Sequence, residues 1–340
     1  MSSAATDADR AALRAAVRDF VAAGEPDWNR AAKELGLFGL GLPESTGGAG
    51  GGPLELAIVH EEFGRALTGG SFFATTALAA PVLLAAGDTE FLPRIAAGEV
   101  TATLVLDAAV TAERDAGTWR LTGRCDRVLS GADADVVLVP TGGQLFAVVG
   151  DDISNVVALS TLDPSRPQAR IELDRAPARL VTTDAGAVLA SARLHACVAL
   201  AAEQVGVATA CLDMAVAYAK ARYQFGRVIG SFQAVKHLLV DLATEVELAR
   251  SAAEEAARAA TEDPGRLPLL SAIAQAWCSE ALVHVAEENI QVHGGIGVTW
   301  EHPAHRYFRR ATWAESFLGS PAEHRRTIAQ LLAPQASNST

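Results

Sequence analysis

The sequence contains few lysines, only two methionines and no excess of positive charge. Lys33, Lys220 and Lys236 are its only lysines, and 28 basic residues face 40 acidic ones, for a net charge of −12. Proteins that bind nucleic acid present a basic face to the phosphate backbone. The composition therefore argues against a nucleic-acid-binding protein.

Cysteine is also scarce, and none of the four cysteines pairs with another in a C-x-x-C motif. They are Cys125, Cys197, Cys211 and Cys278. Zinc sites and dithiol redox centres need closely spaced ligands, so we expect no metal site. The pattern predicts small core residues in a reducing compartment.

The chain lacks the features of an export signal or a membrane anchor. Residues 1–7 contain neither a basic region nor an apolar stretch. No apolar run of about 18 residues is free of charges, so we expect no membrane span. These absences predict a soluble, cytoplasmic protein.

What is present is an apolar content of 50% over 340 residues, enough for two or three domains. Apolar residues recur with helical spacing from residue 7 to about residue 98. We expect Asp7 to cap the first helix and Pro26 and Asp27 to open the second. An N-terminal helical domain is predicted over residues 1–100.

The middle of the chain alternates Thr, Val and Leu in short runs separated by Gly, Asp and Pro, as in residues 101–106, 118–122 and 135–139. This alternation is typical of short strands. It predicts a middle β-domain over residues 101–185, folded as a small antiparallel barrel or sandwich.

Helical spacing returns after the β-domain and predicts a C-terminal helical bundle over residues 186–334. The expected helices run from about 187 to 222, 232 to 261, 267 to 292, 303 to 317 and 321 to 332. Residues 335–340 are polar and are expected to form a disordered tail.

Two motifs at the ends of long predicted helices combine polar groups with glycine. The first is Arg222-Tyr-Gln-Phe225-Gly226, and the second is Gln291-Val-His-Gly294-Gly295. Glycine lets a backbone approach another molecule closely, as the phosphates and adenosine of a cofactor require. The two motifs resemble the R-x-x-F-G and Q-x-x-G-G motifs of the acyl-CoA dehydrogenase family, and the resemblance extends over nearly the whole chain.

The resemblance implies a multi-domain α and β fold and an FAD cofactor shared between two subunits. The residues that it assigns to the adenosine and pyrophosphate end of FAD are Arg222, Phe225, Gln233, Gln291, Gly294 and Gly295. A guanidinium is well suited to a diphosphate. The alternative interpretation is a solvated charge at a helix end followed by a glycine C-cap.

The segments that hold the flavin ring in the family are altered here. The family's A-x-T-E-P-x-x-G-S-D segment is replaced by residues 104–113, which lack the Gly-Ser pair. Ser130 keeps the hydroxyl that would face flavin N5, whereas Val128 stands in place of an aromatic residue. Ser130 is equally consistent with an ordinary turn serine before Gly131.

The family's reaction removes the α proton of an acyl-CoA with a carboxylate base while the β hydrogen leaves as hydride. Most members carry this Glu where Leu318 stands, and others carry it where Ala196 stands. Neither side chain can accept a proton. Glu203, seven residues after Ala196, is the remaining candidate for the catalytic base; the alternative is a structural Glu paired with Arg250 or His284.

Three histidines, His293, His302 and His305, surround the second motif. Their spacing does not suit zinc, and we expect polar packing instead.

The expected function is α,β-dehydrogenation of an acyl-CoA thioester by an oxidoreductase of this family. The lost base and the altered ring segments resemble the subunit that completes the FAD site of a heteromer, a type of enzyme associated with bulky substrates such as steroid side-chain CoA thioesters. Two alternatives are a self-sufficient homo-oligomer that uses Glu203 and a non-catalytic scaffold. The expected partners are an acyl-CoA, a second acyl-CoA dehydrogenase-like chain or a copy of this one, and an electron-transfer flavoprotein as acceptor.

Overall fold

A computed structural model describes residues 5–24 and 28–333 of the chain. The helix start predicted at Pro26 and Asp27 and the predicted tail over 335–340 lie outside these residues.

The N-terminal part of the chain is helical, as predicted. Its helices are α1 (Asp7–Ala22), α2 (Trp28–Lys33), α3 (Pro53–Arg65), a π-helical segment (Ala74–Ala79), α4 (Ala80–Ala85) and α5 (Phe91–Ala96). The prediction that Asp7 caps α1 is wrong. Thr6 is the cap: its hydroxyl accepts a hydrogen bond from the Asp9 amide, and the Asp9 carboxylate accepts one from the Thr6 amide in return.

The middle of the chain forms a seven-stranded sheet in the order β1-β4-β5-β7-β3-β2, with β6 paired to β7. The strands are β1 (Ala102–Leu104), β2 (Ala108–Asp115), β3 (Thr118–Leu129), β4 (Val136–Thr141), β5 (Gln144–Val149), β6 (Asn155–Leu159) and β7 (Gln168–Thr182). All pairs are antiparallel except β1 with β4, which are parallel. The long strand β7 pairs with β3 along most of its length and with β5 near its end, so it joins the two parts of the sheet.

The C-terminal part is a bundle of long helices joined by short connections. The helices are α6 (Ala185–Ala221), α7 (Gln233–Glu262), α8 (Leu267–His293), α9 (Ala304–Ser316) and α10 (Pro321–Leu332). Between α6 and α7 a two-stranded hairpin forms from β8 (Tyr223–Gln224) and β9 (Arg227–Val228). The predicted helices agree with these bounds to within about two residues.

By length and apolar composition, α6 and the segment Leu267–Val298 could cross a membrane. Within the protein, however, half or more of their apolar windows is buried. Both pack against each other and against α7, which is the behaviour of the core helices of a bundle.

The N-terminal helices join the bundle where α3 crosses α6 at two glycines. A Cβ added at Gly206 would lie 1.8 Å from the carbonyl oxygen of Glu61, and one at Gly64 would lie 2.2 Å from that of Glu203. No real side chain fits such distances. The close approach of these two backbones therefore requires glycine at both positions.

Candidate cofactor site and active-site cavity

The first motif forms the turn of a tight hairpin at the end of α6. Phe225 and Gly226 are the two turn residues and both have positive φ, at 52° and 77°. Such a turn matches the twist of a two-residue hairpin, and glycine adopts it without strain. The turn projects the Phe225 ring into solvent, where it is 90% exposed.

Arg222 is fixed by its backbone, while its side chain is exposed. Its amide donates to the carbonyl of Tyr218 at 2.8 Å, and its own carbonyl accepts from the amide of Ile229 at 2.8 Å. Within residues 5–24 and 28–333 its guanidinium has no hydrogen bond or ion pair. This positioned cation is free to receive an anionic group.

The second motif ends α8 with two glycines, whose backbone is not covered by side chains. Gly294 has φ 61°, and a Cβ at Gly294 or Gly295 would meet no atom within 4 Å. Gln291 is exposed on the last turn of the helix. The motif thus offers accessible main-chain groups and one amide side chain.

The two motifs lie side by side in the bundle. The rings of Tyr218, one turn before Arg222, and His293, next to Gly294, have centroids 4.3 Å apart. Gln233 begins α7 after the hairpin, and its amide nitrogen lies 3.4 Å from Nε2 of His237. The residues next to Arg222 and Gly294 are thus in contact, and the side chains of Arg222, Gln233 and Gln291 are all exposed.

The three histidines near the second motif pack against rings. His293 lies 4.1 Å from His302, and His305 lies 4.8 Å from Trp300, measured between ring centroids. Nδ1 of His293 donates to the Asn289 carbonyl at 2.7 Å. In the described part of the chain no three His, Cys, Asp or Glu side chains group as metal ligands would.

On the ring side, Ser130 is buried and already hydrogen-bonded. Its hydroxyl donates to the carbonyl of Gly70 at 3.2 Å, and its amide donates to the carbonyl of Pro167 at 2.8 Å. Its φ is 52°, so it sits at a sharp corner after β3. Val128 is buried in the core of the sheet.

Both family positions for the catalytic base line one cavity of about 240 Å³. Its wall is built by Leu78, Leu104, Val105, Leu106, Pro140, Leu189, Ala190, Ala192, Arg193, Ala196 and Leu318. Arg193 is the charged residue of this wall, and it donates to the Leu318 carbonyl at 2.7 Å. Among residues 5–24 and 28–333, no carboxylate lines the cavity, and none of the lining side chains can take a proton from carbon at neutral pH.

Glu203 lies outside that wall in a cluster of buried charges, with 1% of its surface exposed. It forms ion pairs with Arg166 and, at 2.9 Å, with Nη1 of Arg310. Burial opposes its ionisation, but the charges of the two arginines outweigh burial and hold the pKa of Glu203 below its ordinary value. The carboxylate is therefore charged and doubly paired.

The cluster also holds Asp163 and Ser165, which both contact the fully buried Arg310, Ser165 at 2.6 Å. It thereby connects the turn before β7, helix α6 and helix α9.

The partners expected for Glu203 from the sequence are wrong. Arg250 pairs with Glu61, and His284 lies 2.9 Å from Glu245. Residues 163–166 are recognisable as a turn in the sequence. The sequence does not show, however, that this turn faces Glu203. One feature of the sequence could have indicated a buried partner for Glu203: Arg310 is a charged residue next to the apolar face of its helix formed by Ala311 and Ala314.

FAD fits one half of this site better than the other. A free guanidinium, an exposed aromatic ring and bare glycine backbone suit the adenosine diphosphate end. The ring end offers Ser130, whose hydroxyl proton is engaged with Gly70, and apolar residues.

Comparison with known proteins shows the family of the chain. Residues 7–99 match the family described as "Acyl-CoA dehydrogenase, N-terminal domain", and residues 185–333 match "Acyl-CoA dehydrogenase, C-terminal domain". The chain is 39% identical to the acyl-CoA dehydrogenase IpdE2 of Mycobacterium tuberculosis, with 94% of this chain and 90% of IpdE2 covered.

It is also 40% identical to the acyl-CoA dehydrogenase FadE34 of the same organism, over 96% of this chain but only 46% of FadE34. Among solved structures, the ChsE4-ChsE5 complex from M. tuberculosis matches with a TM-score of 0.86 and 30% identity, covering 98% of this chain and 99% of the matched one. The chain therefore belongs to the acyl-CoA dehydrogenase family, whose members are FAD-dependent oxidoreductases that act on CH–CH bonds.

Proposed function

We propose that this chain is the FAD-completing subunit of a heteromeric acyl-CoA dehydrogenase and that a second chain carries the catalytic base. One observation carries the proposal: Ala196 and Leu318 line the same cavity, and no carboxylate of the residues that the structure describes lines it with them. The α C–H of a thioester is a weak acid, so a positioned base is required. A chain without one needs that group from elsewhere.

The residues of this chain would serve the adenosine diphosphate end of FAD. Arg222 would neutralise the diphosphate, Phe225 would cover the adenine, and the amides of Gly294 and Gly295 would approach the phosphate or ribose oxygens. Gln291 and Gln233 would add polar contacts from the two neighbouring helix ends. Bound FAD supplies an acceptor for the hydride that leaves the β carbon.

The residues that line the cavity would orient the substrate and shield it from water rather than transfer protons. Arg193 fixes the carbonyl of Leu318, and the leucine and alanine side chains exclude water from the wall. Ser130 would keep its oxygen available as a hydrogen-bond acceptor, because only its proton is used by Gly70. Neither the Arg193 guanidinium, which is already protonated, nor the Ser130 hydroxyl can act as the base at neutral pH.

Two of the relatives support a two-chain arrangement. This chain matches 46% of FadE34, which leaves room there for a second unit of similar size. The solved ChsE4-ChsE5 structure is a complex of two proteins. A partner of the same family, an acyl-CoA substrate, an electron-transfer flavoprotein as acceptor and a cytoplasmic location belong to the proposal.

The alternatives are less well supported. A homo-oligomer that uses Glu203 as base would have to free this carboxylate from Arg166 and Arg310. A scaffold with a decayed site would have no use for the free guanidinium of Arg222 beside the exposed ring of Phe225.

The test is expression of the chain alone and together with the dehydrogenase-like chain of a neighbouring reading frame. Alone, it should retain FAD substoichiometrically and oxidise acyl-CoA poorly with an artificial acceptor. The copurified pair should hold more flavin per chain and turn over. Full flavin occupancy and robust turnover by the isolated chain would refute the heteromer.

A further inference from the structure

The hairpin after α6 carries a second arginine beside Arg222, and the function proposed above gives it no role. Arg227 is the first residue of β9, and its side chain is exposed. Among residues 5–24 and 28–333, its guanidinium forms no hydrogen bond and no ion pair. The hairpin therefore presents two cations that have no counter-charge in the described part of the chain.

The register of the hairpin places the two arginines on the same face. Gln224 pairs with Arg227 across the turn, and the Arg222 carbonyl accepts from the Ile229 amide at 2.8 Å. The backbone of Arg222 is extended, with φ −76° and ψ 124°. Side chains alternate between the faces of a strand, and cross-strand partners share a face. Arg222, two residues before Gln224, is therefore a diagonal neighbour of Arg227, at a typical separation of about 7–8 Å.

An aromatic ring holds the guanidinium of Arg227 in place. Its central carbon lies 4.0 Å from the ring centroid of Phe232, the residue that precedes α7. Phe225 meets the same ring in a perpendicular arrangement, with centroids 6.1 Å apart. Stacking on a ring orients a guanidinium without using its N–H donors. Arg227 is thus positioned, and all its donors are still available to a ligand.

The segment around the hairpin is basic, although the chain as a whole is acidic. No Asp or Glu occurs in residues 214–240, whereas this segment contains Lys220, Arg222, Arg227 and Lys236. The whole chain has a net charge of −12. A local concentration of positive charge attracts anions, and neutralisation by an anion relieves the repulsion among the cations. The segment therefore favours a ligand that carries more than one negative charge.

From these observations we infer that Arg227 is a second phosphate-binding residue, which acts with Arg222 on the diphosphate of FAD. A diphosphate carries negative charge on two adjacent phosphates, and two guanidiniums on one face can each donate hydrogen bonds to one of them. Because Phe232 orients Arg227 before FAD binds, less side-chain freedom is lost on binding. This role requires FAD to bind at the hairpin, as proposed above, but it is the same in a heteromer and in a homo-oligomer.

The test is the affinity of the flavin-free protein for FAD, measured by flavin fluorescence in the assembly that takes up flavin, whether the copurified pair or the chain alone. Arg227→Ala should weaken FAD binding at least about tenfold, because a charge-assisted contact is lost. Added salt should weaken FAD binding to the wild type more than to Arg227→Ala, since the variant has one charge fewer to screen. Arg227→Lys keeps the charge and should keep the salt dependence of the wild type.

The matched control is Arg326→Ala on the exposed face of α10, which should bind FAD like the wild type. Equal affinity or equal salt dependence in Arg227→Ala and wild type would overturn the role of Arg227 and leave the proposed function standing. A loss of affinity matched by a lower urea midpoint would assign Arg227 to folding and overturn its role as well. Full flavin occupancy of the isolated chain would refute the heteromer but not this role, whereas failure of both assemblies to take up FAD would refute both.

Discussion

Arg222 and Arg310 belong to the same bundle, yet they use their guanidinium groups in opposite ways. Arg310 is fully buried and contacts Glu203, Asp163 and Ser165. Arg222 is exposed and, in the described part of the chain, forms no hydrogen bond or ion pair through its side chain. The difference separates a charge that holds the protein together from a charge that is available to a second molecule.

By charge alone, both the buried cluster around Arg310 and the exposed hairpin after Arg222 are candidate functional sites. The buried cluster satisfies its charges internally, so a ligand would gain little from it. In the exposed hairpin, the guanidinium of Arg222 has no counter-charge among the described residues. The Phe225 ring meets the Phe232 ring edge-on at 6.1 Å between centroids and is still 90% exposed, so most of it is open to a ligand or a neighbouring chain. We therefore expect a ligand at Arg222 rather than at the buried cluster around Arg310.

The largest effect on stability is expected from a substitution in the buried cluster around Arg310. Glu203→Gln should leave Arg166 and Arg310 without one of their counter-charges and lower the free energy of unfolding by about 3–5 kcal/mol. Urea denaturation measures this loss, with Glu254→Gln on the exposed face of α7 as control, which should change stability by no more than about 0.5 kcal/mol. A stable, flavin-loaded but inactive variant of a wild type that is active unaided would instead identify Glu203 as the base.

The pH dependence of stability provides a second test of a buried group, the imidazole of His60. Burial lowers its pKa from 6.5 to about 4, with a smaller contribution from Arg166 that Glu203 opposes. Between these values the unfolded chain binds a proton that the folded chain refuses. Stability is therefore fully present above pH 6.5 and falls as the pH drops toward 4, by about 3 kcal/mol in total.

The measurement is the urea midpoint of the wild type and of His60→Leu from pH 7 to pH 4.5. The variant should lose much less stability over this range. His284 is the control of opposite sign, because its hydrogen bond to Glu245 raises its pKa. Its contribution is present below pH 6.5 and lost as the pH rises. Parallel profiles for wild type and His60→Leu would contradict the account.

On the exposed side, Arg222→Ala should weaken FAD binding and leave stability unchanged. Loss of a charge-assisted contact is worth about 1.5–3 kcal/mol, or roughly ten- to over a hundredfold in affinity. Flavin retained after dialysis of the copurified complex measures it. Arg325→Ala, which removes another exposed arginine, is the control. Equal flavin retention in Arg222→Ala and wild type would remove Arg222 from the site.

Phe225→Ala should have the smallest effect. An aromatic contact to adenine is worth about 0.5–1.5 kcal/mol, so FAD affinity should fall about two- to tenfold. The unfolding midpoint should not change, since the ring is 90% exposed. A drop in stability of the isolated chain would show that the edge-on contact of Phe225 with Phe232, at 6.1 Å between ring centroids, serves folding rather than FAD.

The sequence predicted the long helices because each has many turns of consistent spacing. It also identified the motif residues, since their glycines and polar groups are local features. It could not predict the partners of Glu203, because Arg166 and Arg310 are 37 and 107 residues away along the chain. The cap at Thr6 was missed because Asp7 and Asp9 are equally good capping residues.

The cavity lined by Ala196 and Leu318 shows the same limit of prediction from sequence. Counting along the motifs assigned Ala196 and Leu318 to the family's two base positions, but only the fold brings them to one wall. A space between elements is a property of their arrangement.

The crossing of α3 and α6 at Gly64 and Gly206 has a consequence for anyone who wishes to cut this protein into pieces. The two backbones touch without side chains between them, so neither helix has a finished surface of its own there. A fragment that ends before residue 185, or one that begins after residue 100, would carry a bare strip of backbone and apolar surface. We expect both fragments to be insoluble when made separately and to regain solubility when made together.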